Sequence, residues 1–346
     1  MRIISLSAII LGLLAAQPAA AEGSRMRQII DRLENANQWR DHVMIVAHRG
    51  GWKEGGRIRN AENSMAGVRR SIELGVEIVE LDVQKSKDGE YIVLHDSWLD
   101  RTTTCKGRAV ERTLAELKDC RLVVEGTGEV TAESVPALRE MFAVTRDRVM
   151  VNIDNKMEVE ELAGVAAIAR EMNMADQVII KQNLWNSEKL GAMTEAMAAI
   201  GKGVRFMPII ADDAVEDVRF IEKVGRTFSA DVVEMIAWRD ESRGMTLNGG
   251  ALFGARSRAV SARGDWHLWV NTFTIVNKPG GYLAGGRGDE LAQANYPQET
   301  FGFWAEQGAT IIQTDEPKAA IEWLEKNGYR VPYAEQPEPT GTASIN

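Results

Sequence analysis

Eight short β-rich runs, separated by stretches of helical periodicity, constrain this chain more than any other feature. The runs are Val43–Ala47, Glu77–Val83, Val149–Asp154, Gln177–Lys181, Val204–Ile210, Asp231–Ile236, His267–Thr272 and Ala309–Thr314. Between them, stretches such as AENSMAGVRRSIELG, EVEELAGVAAIAREMNM and NSEKLGAMTEAMAAIG repeat apolar residues every three or four positions, the spacing of one helix face. Gly75, Gly201, Gly308 and Gly328 stand where left-handed helix caps are expected. Strands alternating with helices specify parallel pairing, and eight is the number that closes a (β/α)8 barrel. A doubly wound open sheet shares the alternation. Neither G-x-G-x-x-G after the first run nor G-x-x-x-x-G-K-[ST] is present, so both nucleotide fingerprints are missing. The expected fold class is α/β, a (β/α)8 TIM barrel, with the open sheet as the alternative.

Two segments interrupt the alternation. KSKDGEYIVLHDSWLD reads as a hairpin turning at Asp88-Gly89, and the long polar stretch after it reads as a small insertion of about residues 97–136. TIVNKPGGYLAGGRGDELAQANYPQ (274–298) is a glycine-rich loop after the seventh run, of the kind that shapes a barrel's active site. The expected organisation is a signal peptide at 1–21, an N-terminal helix within 22–42, a barrel over 43–330 and a flexible tail at 331–346.

The signal-peptide reading rests on Arg2, the apolar run Ile3–Ala16 and the small residues Ala19, Ala20 and Ala21. That run is too short to span a bilayer, so export to the periplasm or the medium is expected, with no stable membrane insertion. Cys105 and Cys120, the only cysteines, would then meet an oxidising compartment. A disulfide is expected rather than two free thiols, at a contribution of roughly 3 kcal/mol for a loop of about 15 residues. The net charge of −9 argues against a nucleic-acid partner, which requires a basic surface. Nothing in the pattern specifies an oligomeric state.

Side chains at the C-terminal ends of barrel strands face the active site. The first strand delivers His48 and Arg49, the second Glu80 and Asp82, the hairpin His95 and Asp96, and the third Asp154 and Lys156. Glu80 and Asp82 are two apart and so share one strand face. With Asp154 they form a hard-oxygen cluster suited to Mg²⁺ or Ca²⁺, unlike the His and Cys sets that hold zinc. Two of the four histidines, His48 and His95, converge on these carboxylates and can divide acid and base roles. Arg49 and Lys156 add fixed positive charge suited to a phosphate. His42 and His267 have no such company and read as structural.

The combination of AHRG, AENS, ELD, DG, LHD and NIDNK, closing with GATIIQTDEP, resembles the glycerophosphodiester phosphodiesterase family over roughly residues 43–327. The resemblance implies a (β/α)8 barrel that binds one divalent metal and hydrolyses glycerophosphodiesters to glycerol 3-phosphate and an alcohol. It makes Glu80, Asp82 and Asp154 the metal ligands and His48 and His95 the acid–base pair. Arg49 would hold phosphate, Lys156 would match the lysine of the third-strand element, and Glu62 would orient Arg49 or approach the metal. Ca²⁺ or Mg²⁺ is expected, with Mn²⁺ a further candidate. Four departures stand out: Ala61 replaces the usual proline, Asp154 the usual glutamate, KQNLW a Ser-Phe pair, and NTFTIVN a Trp-Thr pair. The last two are expected to line the leaving-group side.

Three readings share this barrel. The first is an exported phosphodiesterase acting on a small-molecule phosphodiester. The second is a phospholipase docking through an apolar rim, for which Trp52, Trp98, Trp238, Tyr282 and Leu283 are candidates. The third is a non-catalytic binding protein, which would have no need of two titrating histidines.

Overall fold

A computed structural model describes residues 23–239, 242, 244–274 and 282–334. The expected signal peptide, residues 275–281 of the glycine-rich loop and residues 335–346 of the tail lie outside the described residues.

Eight parallel strands close on themselves: β1 Met44–Ala47, β2 Ile78–Lys85, β3 Met150–Asn155, β4 Val178–Asn183, β5 Arg205–Ala211, β6 Val232–Ile236, β7 His267–Asn271 and β8 Ile311–Thr314. Each pairs with its neighbours in sequence, and β1 joins both β2 (Val46 opposite Ile78) and β8 (Met44 opposite Ile311). The sheet is therefore a closed (β/α)8 barrel, and the open-sheet alternative falls. A short strand, Tyr91–Val93, runs antiparallel to the end of β2. Its turn is held by Ser86, whose Oγ donates to Asp88 at 2.6 Å, with Gly89 at φ 84°.

Alternation along each strand divides the barrel into layers. On β2, Val79, Leu81 and Val83 pack outward against helices, while Ile78, Glu80 and Asp82 point inward. The floor is apolar, built from Met44, Val46, Ile78, Met150, Ile179, Met207, Val232, Trp269 and Ile311. Helix α1 (Arg25–Glu34) seals this floor with Met26, Ile29, Ile30 and Leu33, all buried against the same cluster. Their spacing forms one helical face, and each buried side chain contributes roughly 1.5–3 kcal/mol. Ser24 caps the helix by accepting from the Arg27 amide.

His42 and His267 lie at this floor end. His42 sits between Arg32 and Glu77, and His267 bonds Thr310 Oγ1 at 2.8 Å and the Arg32 carbonyl at 2.9 Å. Gly75 adopts the expected left-handed cap, and Gly308 and Gly328, one residue past the caps Gln307 and Asn327, also take positive φ, 86° and 78°, whereas Gly201, at φ 79° and ψ −178°, leaves the left-handed helical region.

Between the hairpin and helix Leu138–Thr145, the chain builds a small unit with its own core of Leu99, Ala109, Leu117, Cys120, Leu122 and Val135. The hairpin Arg121–Val124/Glu129–Ser134 and a Cys105–Cys120 disulfide complete it. Ala61, which stands where a proline was expected, packs into this core, 2% exposed.

Candidate active site

At the opposite end from α1, the barrel opens into a cavity of about 460 Å³. His48, Arg49, Glu80, Asp82, His95, Asp154 and Lys156 all line it. Glu62 stands behind them, 3% exposed.

The loop after β1 carries an unusual backbone. Arg49 itself takes φ 49°, followed by Gly50 at 76° and Gly51 at 89°. A Cβ on Gly51 would lie 1.9 Å from Ser71 Oγ, and one on Gly50 would lie 2.9 Å from Val68. Both neighbours belong to helix α2 (Met65–Leu74). The glycines thus let α2 approach the strand end, which turns Arg49 into the mouth.

Glu62, Asn63 and Ser64 each do separate work. Glu62 Oε2 accepts from Arg49 Nη1 at 2.7 Å. Asn63, in the left-handed region at φ 57°, donates to Asp82 Oδ2 at 2.7 Å and accepts from the Asp82 amide. Ser64 caps α2 by accepting from the Gly67 amide at 3.1 Å.

Each histidine is held by a carboxylate. His48 Nδ1 meets Asp315 Oδ1 at 2.8 Å, and its ring stacks on Phe273, centroids 3.8 Å apart. His95 Nδ1 meets Asp96 Oδ1 at 2.7 Å. Burial opposes ionisation of Asp315, but His48 and Lys53 outweigh it and hold the carboxyl below its usual range. Asp96 is held low in the same way by His95 and Arg101. An ionised carboxylate only accepts, so each Nδ1 carries a proton and each Nε2 is the free nitrogen. Burial lowers the pKa of His48, with Asp315 opposing, which favours its neutral form.

Glu80, Asp82 and Asp154 bring carboxylate oxygens within 4.8 Å of one another. Burial, then Asp82, raises the Glu80 pKa. Asp82 is kept ionised against burial by Lys156, at 3.0 Å, and by Arg49. Three oxygen donors, one of them driven towards protonation by burial and by its neighbours, fit a divalent cation.

Several residues at the mouth escaped the sequence reading. Lys181, 6% exposed, lies 3.4 Å from both Asp154 Oδ1 and Glu234 Oε2. Glu234 accepts from Asn271 Nδ2 at 2.7 Å, and Asn271 accepts from Trp269 at 2.8 Å. The signal was available: Lys181 and Glu234 sit two residues after the inward Ile179 and Val232, so the period of two places a charge inside the barrel. Asp315 and Arg101 gave no comparable local signal.

The structure also revises the outer loops. The stretch WKEGGRIRN that follows the β1 loop folds back on the loop after β8. Trp52 Nε1 donates to Asp315 at 2.7 Å, Lys53 Nζ reaches Asp315 at 3.0 Å, and the Gly55 and Gly56 amides donate to Glu316. Trp52 is 2% exposed and Leu283 7%, so neither belongs to an apolar rim. Trp98 and Tyr282 are exposed. Among the described residues, no helix is long and apolar enough to cross a membrane. Phe273 backs the His48 ring as well as lining the cavity, while Asn183, Leu184 and Trp185 of KQNLW line its β4 wall.

Fold and site together define a (β/α)8 barrel with a carboxylate and histidine mouth. Residues 48–204 match the glycerophosphoryl diester phosphodiesterase family, and this stretch of the chain belongs to it. Residues 206–324 match a second family described only as a domain of unknown function. A glycerophosphodiester phosphodiesterase of Caldanaerobacter subterraneus subsp. tengcongensis is 34% identical over 143 residues, 40% of this chain. The chain spans 57% of that relative's length. Human glycerophosphodiester phosphodiesterase 1 is 31% identical over 106 residues, 30% of either chain. Among solved structures, a glycerophosphoryl diester phosphodiesterase from Parabacteroides distasonis superposes with a TM-score of 0.61 at 18% identity, covering 88% of this chain and 93% of the other. An Oleispira antarctica phosphodiesterase, solved with the product sn-glycerol-3-phosphate, superposes at 0.52 and 18% identity, covering 82% and 96%.

Proposed function

We propose that this chain is an exported, metal-dependent phosphodiesterase that hydrolyses glycerophosphodiesters to glycerol 3-phosphate and an alcohol. The observation that carries the reading is the placement of two carboxylate-held histidines, Arg49 and three clustered acids around one cavity. Glu80, Asp82 and Asp154 would hold the divalent ion, which when bound supplies Lewis-acid polarisation of a phosphoryl oxygen.

The remaining chemistry belongs to side chains of this chain. Arg49, fixed by Glu62, offers a guanidinium to a non-bridging oxygen, where charge grows in the transition state. His48, buried and held through Nδ1 by Asp315, takes a proton from the attacking hydroxyl at Nε2. His95, held by Asp96, delivers a proton to the leaving alkoxide. Phe273 keeps the His48 ring in plane. The leaving alcohol would lie along Asn183, Leu184 and Trp185.

Export is proposed from the leader-like start of the sequence and is supported by the disulfide. Determining the N-terminus of the protein recovered from outside the cytoplasm tests it directly. The activity is tested with deacylated glycerophosphodiesters, before and after chelation, with Ca²⁺, Mg²⁺ or Mn²⁺ added back. His48→Ala and His95→Ala should each lose at least about 10²-fold in rate. Near-normal turnover in either variant, or turnover indifferent to chelation, would sink the corresponding assignment. Faster cleavage of intact phospholipid in liposomes would instead favour the phospholipase reading.

A further inference from the structure

Arg101 enters from the insertion, touches both working arms of the site and lies outside the cavity wall. Its Nε donates to Asp96 Oδ2 at 2.7 Å, and Nη2 to Asp96 Oδ1 at 2.9 Å. Nη2 also donates to Glu62 Oε1 at 2.7 Å, and Nη1 to Glu62 Oε2 at 3.0 Å. Nη1 reaches Glu125 Oε2 at 3.0 Å as well. Each inner carboxylate then passes to one functional group: Asp96 to His95 and Glu62 to Arg49, both at 2.7 Å.

We propose that Arg101 is a positioning residue that keeps His95 and Arg49 in mutual register through Asp96 and Glu62, and that the disulfide-closed insertion exists to hold it there. The inference rests on the phosphodiesterase reading of the site. A guanidinium is planar, with five donors in a fixed fork. Spread over two carboxylates, it makes the angle of one depend on the angle of the other. Glu62 Oε1 has Arg101 as its sole hydrogen-bond donor among the described residues. Without Arg101, Glu62 could rotate, and Arg49 with it.

The backbone around Arg101 is pinned on both sides. Leu99 is buried, Thr103 Oγ1 donates to the Leu99 carbonyl at 2.8 Å, and the Thr104 amide donates to the Arg121 carbonyl at 2.8 Å. Cys105 then joins Cys120, next to the hairpin that leads to Glu125. A surface ion network serving stability alone would have no reason to converge on the partners of two reactive groups. A lysine at this position would present one nitrogen in place of the planar fork, and could not make the bidentate bonds that fix the angles of Asp96 and Glu62.

The test compares wild type with Arg101→Met, Arg101→Lys and Glu125→Gln in steady-state kinetics, in calorimetric binding of inorganic phosphate, and in Tm. Arg101→Met should lower kcat by at least about tenfold, the range in which small misplacements of reacting groups act, and weaken phosphate binding about fivefold. Arg101→Lys should stay well below wild type in both. Glu125→Gln keeps the Asp96 and Glu62 bonds and should leave both within twofold. A purely structural Arg101 predicts lower Tm with unchanged kcat and phosphate affinity, and that result overturns the proposal. If Arg101→Met does not fold, Arg101→Lys decides: wild-type kcat and phosphate affinity in that variant overturn it too. Wild type that binds phosphate but cleaves no glycerophosphodiester defeats the functional reading, while the phosphate measurement still decides the role of Arg101.

Discussion

Lys181 and Asp154 meet at the centre of the barrel, Nζ 3.4 Å from Oδ1, on adjacent strands β4 and β3. The lysine belongs to the KQNLW stretch, where a Ser-Phe pair was expected, and the aspartate stands where a glutamate was expected. Lys181 is kept charged against burial by Asp154 and Glu234. One cation thus offsets two carboxylates at the edge of the candidate metal cluster.

Replacing Lys181 with Met should leave Glu234 in the interior without a cation, with Asn271 as its remaining partner, and Asp154 with Lys156 alone, at a cost of about 3–5 kcal/mol. Tm in chelator should fall accordingly. A divalent ion should recover more Tm in this variant than in wild type, because it meets a cluster with one fewer internal counter-charge. Equal Tm values for the two proteins in chelator would show that the pair contributes nothing.

Gly51→Ala should be severely destabilising. The φ of 89° costs a residue with a Cβ about 1–3 kcal/mol, and overlap with Ser71 Oγ adds to that. The double variant Gly51→Ala/Ser71→Gly should recover only the overlap component. Full recovery of Tm in the double variant would mean that the backbone angle is not a constraint.

Acid should weaken the floor of the barrel through His267. Burial pushes its pKa down to about 4, against 6.5 in the unfolded chain. Between those values the unfolded chain binds the extra proton and the folded one does not. Stability therefore falls as pH drops from 6.5 towards 4, by a total on the order of 3 kcal/mol. Denaturant titrations of wild type and His267→Gln across this window should converge in slope at neutral pH and diverge below 6. Parallel curves throughout would refute the assignment.

Cys105→Ala/Cys120→Ala should loosen the insertion by roughly 3 kcal/mol in the chain-entropy model. Hydrogen exchange should rise across residues 97–136 while the barrel strands stay protected. Uniform loss of protection over the whole chain would show that the insertion and the barrel unfold as one.

Much of this molecule is legible in its sequence because it is written in short periods. The two-residue spacing of Glu80 and Asp82 places both inside β2, and alternation of runs and helices gives the closed barrel. His48 and His95 are visible as the only histidines beside acids at strand ends. Contacts between distant loops are not written that way. Asp315 reaches back to His48, Trp52 and Lys53 across more than 260 positions; it lies within the GATIIQTDEP stretch, yet no strand or helix period gives it that role. Trp52 looked like a surface aromatic for the same reason: its hydrogen-bond partner lies at the far end of the chain. Lys181 and Glu234 are a different case, since strand periodicity points both inward and only the habit of expecting apolar barrel interiors hides them.

The floor of the barrel has a practical corollary. Arg32 on α1 donates to the carbonyls of Val331 and Pro332, the Val331 amide donates to His42, and Gln28 exchanges two hydrogen bonds with Ala334. The first and last described segments therefore run side by side, on the face opposite the cavity. A short linker joining them would permit circular permutation with new ends in a surface loop. Immobilisation on a bead through either segment would orient every molecule with its cavity towards the solution.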